Sequence, residues 1–175
     1  MNEEEPQLSS YNFDFAGGSH NSYLFVTIHR IIYEIQFKPT PYLFGEDFVL
    51  SNEIVELVIK VAENPTDRRP PLDALIAPTV ATIIGDFYKK SSLTITIFIC
   101  DTADRKHEAR WRKFNRWYDY FAESDYIRLD DSFRDTKEEV LYRCALIAKN
   151  HNPYLREVGL AFLDLMADFK AGKQL

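Results

Sequence analysis

The sequence predicts a single α+β domain in which about three helices pack on a mostly antiparallel, curved sheet. Alternating apolar and polar residues recur from Tyr11 to Ala62 without a helical pattern between them, which is typical of an antiparallel meander. Apolar residues at helical spacing begin only after that meander and are interspersed with further strand patterns. A chain of 175 residues has the size of one domain and can bury a sizeable core.

The meander is predicted to contain four strands. They are residues 11–15, 23–28, 31–37 and 54–62. Gly17 and Gly18 supply the first loop, and His29 with Arg30 form the turn before the third strand, although glycine and asparagine are more usual in tight turns. The third and fourth strands each have one apolar face, which we expect to be buried. This face consists of Ile31, Tyr33, Ile35, Phe37, Val55, Leu57, Ile59 and Val61.

The second part of the chain alternates between helices and strands. Its predicted elements are a helix at about 72–90, a strand at 93–100, a helix at about 104–122, a short strand at 126–129, a strand at 140–148 that could be helical, and a last helix starting at Asn152-Pro153. The strand at 93–100 is apolar on both faces, so we expect it at the centre of the sheet. The last helix has an apolar stripe of Val158, Phe162, Leu165, Met166 and Phe169.

Residues 1–10 are polar and acidic, which predicts a disordered tail ahead of a single domain at 11–175. This beginning differs from a secretory signal, and no apolar run has the length of a membrane helix. Cys100 and Cys144 each lie within an apolar run, which is typical of small buried thiols. We therefore expect a cytoplasmic protein that does not associate with membranes, and its size requires no metal or cofactor for stability.

The segment from Cys100 to Tyr120 carries the first candidate site. Asp101, Asp104, His107 and Arg110 are predicted to meet where the strand at 93–100 ends and the next helix begins. One interpretation is structural, because Asp104 can cap the helix and Asp101 can pair with Arg110. The other interpretation is catalytic: the two carboxylates hold a divalent cation, His107 exchanges a proton, and Arg110 binds a phosphate or carboxylate. The spacing matches no known zinc or phosphate-loop motif.

The helix at 104–122 also carries a second candidate site. At 100° per residue its apolar arc, which we expect to face the sheet, consists of Trp111, Phe114, Trp117, Tyr118 and Phe121. Basic residues outside that arc can bind the phosphates of a nucleic acid. They are Arg105, Lys106, Arg112, Lys113 and Arg116. The net charge of −6 opposes such binding by the overall field, and the alternative interpretation is a solvated helix face.

Several of these residues also carry a resemblance to a known family. They are Asp101, Asp104, Arg110, Phe114 and Trp117, together with Tyr33 to Phe37 and Asn152-Pro153. Over about residues 11–170 the chain resembles a family of small bacterial proteins that is classed as a domain of unknown function. It departs from that family's pattern at His29-Arg30 and at Arg105, where glycine is common. The resemblance implies a bacterial cytoplasmic origin and carries no activity.

Three functions follow as hypotheses. The first is a non-enzymatic interaction or regulatory module whose sheet edge or basic helix binds another protein or a second copy of the chain. The second is a metal-dependent or nucleotide-binding enzyme that uses Asp101, Asp104, His107 and Arg110. The third is nucleic-acid binding through the helix at 104–122. The first is favoured because the sequence has no dense catalytic motif.

Overall fold

The computed structural model describes residues 10–100, 106–121, 125–135, 137 and 139–172, without the side chain of Phe121. Its strands are β1 (Phe13–Gly17), β2 (Ser22–Val26), β3 (Ile32–Pro39), β4 (Ile54–Glu63), β5 (Ile95–Cys100), β6 (Tyr126–Asp135) and β7 (Val140–Lys149). Its helices are α1 (Ile76–Tyr88), α2 (His107–Phe121) and α3 (Leu155–Lys170), with a 3-10 turn at Ser51–Glu53. Within these ranges no helix is long and apolar enough to cross a membrane.

The seven strands form one open sheet in the order β1-β2-β3-β4-β5-β7-β6. Every neighbouring pair is antiparallel except β4 and β5, which are parallel and are connected through α1. A parallel pair needs such a crossover because its two strands start at the same edge of the sheet. The predicted α+β class, the mostly antiparallel sheet and the four-stranded meander are confirmed.

Both faces of the sheet are covered by apolar side chains. On one face α1 and α2 pack over the meander and β5, and on the other face α3 and the loop at 43–50 pack over β5, β6 and β7. Strand β5 contributes Phe98 to the first core and Ile97 to the second, which confirms its central position. The two cysteines are buried on opposite faces, Cys100 in the first core and Cys144 in the second. Burial raises the pKa of Cys144 to about 12, so this thiol stays protonated.

The turn between β2 and β3 is longer than expected. Thr27 and Ile31 close it, since the amide of Thr27 donates to the carbonyl of Ile31 at 3.0 Å and the amide of Arg30 donates to the carbonyl of Thr27 at 2.9 Å. The loop therefore has three residues, and Arg30 at its end has a φ of 60°. This is the left-handed position of a three-residue hairpin loop, where glycine is the usual residue.

Two other boundaries differ from the prediction. Strand β6 was expected to end at residue 129 but continues to Asp135, because it pairs with β7 at every position. Helix α3 begins at Leu155, so the prediction that it starts at Asn152-Pro153 is wrong. The buried side chain of Asn152 instead accepts a hydrogen bond from the amide of Tyr154 at 2.9 Å and donates one to the carbonyl of Leu93 at 3.2 Å. The tail predicted at 1–10 falls almost entirely on residues outside the described ranges.

Candidate functional site

The predicted acid–base cluster lies only partly within the described residues. Asp101 and Asp104 are outside them, so their meeting with His107 and Arg110 stays a prediction. His107 begins α2, where its Nε2 atom lies 3.5 Å from Oε1 of Glu108 and its buried Nδ1 atom has no hydrogen-bond partner among the described residues. Arg110 lies in the first turn and is exposed. The part of the chain that is described contains no group of three His, Cys, Asp or Glu side chains placed to hold a metal ion.

The apolar arc of α2 faces the sheet, as its spacing predicts. Phe114 is 1% exposed and Trp117 is 8% exposed. The ring of Phe114 stacks on Phe98 of β5 with the centroids 4.1 Å apart, and Trp111 lies beside them at 6.4 Å from Phe98. These aromatic rings therefore hold α2 against the sheet.

An open groove of about 330 Å³ lies between α2 and the hairpin formed by β6 and β7. It is lined by Trp111, Asp130, Asp131, Ser132, Leu141 and Arg143. Its charged groups pair with one another or with close neighbours: Arg143 with Glu108, Asp131 with Lys170, and Asp130 with Arg128. The charges around this groove are therefore balanced within the protein.

The positive charge of Arg128 on β6, next to α2, is neutralised by its partners. Its Nε and Nη2 atoms donate to the two carboxylate oxygens of Asp130 at 2.6 and 2.8 Å, and Nη2 also donates to Oδ1 of Asn115 at 2.7 Å. Its guanidinium carbon lies 4.8–5.2 Å from three ring centroids of α2, those of Trp111, Phe114 and Tyr118. Such an arginine fastens β6 to α2 through both hydrogen bonds and cation–π contacts.

The opposite side of α2 carries two cations, Lys113 and Arg116, that have no carboxylate within ion-pair distance in the described ranges. Lys113 lies 200° around the helix from Trp111, and Arg116 lies next to Lys113 at i+3. Partial burial lowers the pKa of Lys113, and the positive charges of Arg69 and Arg116 lower it further. Arg69 therefore lies near Lys113, although it belongs to the connection between β4 and α1. Arg69, Lys113 and Arg116 are called the cationic cluster below.

None of the three has an ion pair within 4.0 Å in the described part of the chain. Lys113 and Arg116 belong to the predicted basic patch, whose members Lys106 and Arg112 are also exposed, while Arg105 is outside the described residues. The sequence prediction missed Arg69, because it lies in a polar connection far from α2. The sequence feature that could have indicated Arg69 is the adjacent pair Arg68-Arg69, which follows a predicted strand.

The residues of the cationic cluster lie on segments that follow the two parallel strands, Arg69 after β4 and the other two after β5. β4 and β5 pair only at Ile54↔Ile95, Val55↔Thr96 and Glu56↔Ile97. Beyond those positions β4 stays with β3 and β5 stays with β7, so the carboxyl ends of the two strands diverge. The connection that carries Arg69 and the connection to α2 both leave from these ends. Ligands of sheets with parallel strands bind outside such ends, where the direction of the connections changes.

The comparisons with known proteins give a family and no activity. Neither the curated proteins nor the solved structures contain a significant match. A family model described as a family of unknown function (DUF6169) matches residues 73–164, just over half of the chain. The matched region contains α1, β5, α2, β6 and β7, and so includes Lys113 and Arg116 but not Arg69. The predicted resemblance to a domain of unknown function is confirmed, and the chain belongs to the DUF6169 family.

Proposed function

We propose that this protein binds a small anionic ligand with phosphate groups, of the nucleotide class, at the cationic cluster and acts as a ligand-dependent regulatory module. The observation that carries the proposal is that the positive charges of Arg69 and Arg116 both act on Lys113, and that none of the three has an ion pair among the described residues. Like charges held close together repel one another, and an anion between them removes that repulsion. Arginine also matches the geometry of phosphate oxygens with two parallel hydrogen bonds.

A small ligand suits this site better than a nucleic-acid strand. Single-stranded nucleic acids are bound by cations together with aromatic rings on which the bases stack. The rings of Phe114 and Trp117 are buried against the sheet instead. Three cations from two neighbouring elements suit one compact di- or triphosphate, whereas a polyanion would meet the repulsion of a net charge of −6.

Calorimetric titration with pyrophosphate and with ATP at low ionic strength tests the proposal. We expect binding by the full chain and a loss of roughly 10-fold or more in affinity when Arg69→Gln and Lys113→Gln are combined, because a charge-assisted hydrogen bond contributes about 1.5–3 kcal/mol. The matched control combines Arg156→Gln and Lys137→Gln, which removes the same charge from exposed positions outside the cluster. This control should bind almost as the wild type does.

If neither pyrophosphate nor ATP gives a binding signal at low salt, the proposal is wrong. It is also wrong if the two double variants lose the same amount of affinity. A labelled RNA or DNA oligonucleotide decides between ligand classes. If the oligonucleotide binds more tightly than ATP and its affinity falls steeply with salt, the nucleic-acid hypothesis replaces the one proposed here.

A second candidate function is interaction with another protein or with a second copy of the chain. The open sheet favours it, because β6 pairs with β7 on one side over all ten of its residues and is the longer of the two edge strands. An unpaired strand edge can accept a further strand. Size-exclusion chromatography with light scattering tests this candidate: a mass above 20.5 kDa that rises with concentration supports self-association, and a constant monomer mass excludes a second copy as the partner.

The proposal also includes a bacterial origin, which the resemblance to the family implies, and a cytoplasmic location. Its support is the pair of buried cysteines, which lie in different cores and are free thiols. Free buried thiols suit a reducing compartment.

A further inference from the structure

The outer edge of β6 presents backbone groups for a further strand. Every residue of β6 pairs with β7 in one unbroken register, and one position before the strand the amide of Asn150 donates to the carbonyl of Asp125 at 2.8 Å. In an antiparallel pair, positions that exchange hydrogen bonds alternate with positions that do not. The odd-numbered residues of β6 therefore bond to β7, and the even-numbered residues point their amides and carbonyls away from it.

A side-chain hydrogen bond at Ser132 agrees with this alternation. The amide of Ser132 donates to Oδ1 of Asp131 at 2.7 Å, as an amide that points away from β7 can. Within the described ranges no strand pairs with this side of β6. The outward positions also share one face of the sheet, because alternate residues do, and Arg128 contacts α2 from that face. They are Tyr126, Arg128, Asp130, Ser132 and Arg134.

The charges along this edge are complementary to those of a second copy. When two β6 strands run antiparallel with Ser132 opposite Ser132, Asp130 of each copy lies opposite Arg134 of the other. Opposite charges in such positions stabilise a sheet. Centring the pair on Asp130 or on Asp131 instead brings like charges opposite each other, which is unfavourable.

The availability of the two arginines selects the register centred on Ser132. A pair centred on Leu129 also places opposite charges together, Arg128 against Asp130. Arg128, however, is only 15% exposed and is already bound within its own chain. Arg134 is exposed and has no hydrogen bond or ion pair with a described residue. The register centred on Ser132 therefore gives a partner to the arginine that lacks one.

Exposed leucines of α3 lie above the same edge. Gly159 packs against Leu129 of β6, and Lys170 binds that strand through an ion pair, so this flank of α3 faces β6. At 100° per residue, Leu163 lies about 20° from Lys170 around the helix and Leu160 about 80°. Leu160 is 53% exposed and Leu163 is 57% exposed. Because β6 is the last strand of the sheet, a further strand at its edge brings a second molecule towards these leucines.

We propose that two copies of this chain pair through β6, antiparallel about a two-fold axis at Ser132, so that their sheets form one continuous sheet. The amide of Ser132 then exchanges its bond to Asp131 for the carbonyl of Ser132 in the second copy. Arg134 of each copy reaches Asp130 in the groove of the other copy, where Trp111 also lies. This pairing gives the second candidate function one partner and one geometry, and it does not depend on the cationic cluster.

Light scattering coupled to size-exclusion chromatography tests the pairing. We expect the mass of the wild type to rise with concentration from 20.5 kDa towards twice that value. Arg134→Asp places carboxylates opposite each other twice in the pair, so we expect its dissociation constant for the dimer to rise by roughly 10-fold or more. The matched control, Lys89→Asp, makes the same change in charge at an exposed position after α1 and should dimerise as the wild type does.

A disulfide cross-link tests the register. In a hydrogen-bonded antiparallel pair, opposite Cα atoms lie about 5.5 Å apart, which a disulfide can span. We therefore expect Ser132→Cys to form a covalent dimer on mild oxidation. Lys137→Cys is the matched control, because it is exposed on the same hairpin but would lie about 30 Å from its equivalent in the pair. The native thiols, Cys100 and Cys144, are buried and should not react.

The outcomes separate this inference from the proposed ligand binding. A mass that stays at 20.5 kDa at every concentration overturns the inference. It is also overturned if Ser132→Cys cross-links no faster than Lys137→Cys, or if Arg134→Asp and Lys89→Asp dimerise equally, because the dimer would then form through another surface. Titration with pyrophosphate reports on the cationic cluster alone, so either result of that titration leaves the test of the pairing unchanged.

Discussion

The cations on the two sides of α2 differ in their partners. On the side of β6, Arg128 has a carboxylate, an amide oxygen and three aromatic rings as partners, and its side chain is only 15% exposed. On the opposite side, Lys113 has two other cations as neighbours and no carboxylate within ion-pair distance in the described ranges. One side of α2 thus contacts a cation of β6 that holds the fold together, and the other side carries a cation without a carboxylate partner among the described residues. The two cations carry the same charge and differ in their partners.

The largest expected effect is on stability, at Arg128. Arg128→Ala removes hydrogen bonds to Asp130 and Asn115 and the contacts with the rings of α2. Charge-assisted hydrogen bonds contribute about 1.5–3 kcal/mol and cation–π contacts about 0.5–2 kcal/mol, so we expect a loss of about 3 kcal/mol in the free energy of unfolding, measured by urea denaturation. The control is Arg134→Ala, at an exposed position of the same strand. A loss below that of this control would contradict the structural role of Arg128.

Glu34 extends the comparison to a neutralised negative charge on the meander. Ser22 and Gln36 each donate a hydrogen bond to its Oε1 atom at 2.7 Å, and the Nζ atom of Lys60 lies 3.0 Å from Oε2. These hydrogen bonds, with that of Ser22 the strongest cause, lower the pKa of Glu34 to about 2. The carboxyl group binds a proton more weakly in the folded state than in the unfolded one. Its charge therefore stabilises the fold above the ordinary pKa of glutamate.

This stabilisation should disappear as the pH falls from about 4.5 to about 2. Glu34→Gln removes it, so we expect the variant to be less stable by about 2 kcal/mol at pH 7 and nearly equal to the wild type at pH 2. Chemical denaturation across this pH range measures the difference. Glu46→Gln, in an exposed loop, provides the baseline. A difference between wild type and Glu34→Gln that does not change with pH would contradict this account.

Most of the fold was predictable because its signals are local. The alternation in β3, the doubly apolar β5 and the apolar arc of α2 each depend on residues within one element. The end of β6 was not predictable in this way. Its last six residues, DDSFRD, contain one apolar side chain, and they form a strand because β7 pairs with them and α3 supplies Lys170 to Asp131. The strand is held there by its neighbour rather than by its own pattern.

Only part of the candidate site was predictable from the sequence. The sequence prediction included Lys113 and Arg116 among the basic residues of α2 outside the aromatic arc that faces the sheet. Arg69 was missing from that prediction, because its approach to α2 depends on the parallel arrangement of β4 and β5 and on the packing of α1 beside α2. No local pattern carries that information. The distinction between a neutralised and an available cation likewise required the partners, which come from distant parts of the chain.

The smallest expected effect is the change in the free energy of unfolding at Lys113. The sign of this change tests whether Lys113 differs from Arg128. Lys113→Gln removes a charge that burial and two neighbouring cations disfavour, so we expect the free energy of unfolding to rise by a few tenths of a kcal/mol at pH 7. Since the pKa of Lys113 is lowered, its ammonium loses its proton at lower pH in the folded state than in the unfolded one. The wild type therefore gains on the variant as the pH rises towards 10.5.

Saturating pyrophosphate should reverse the order at pH 7, because a ligand that binds only the folded state stabilises whichever protein binds it more tightly. Urea denaturation of both proteins with and without pyrophosphate measures this reversal. A loss of stability in Lys113→Gln comparable to that in Arg128→Ala would mean that Lys113 is a structural cation like Arg128. In that case the two sides of α2 would not differ, and the cationic cluster would belong to the framework of the fold rather than to a binding site.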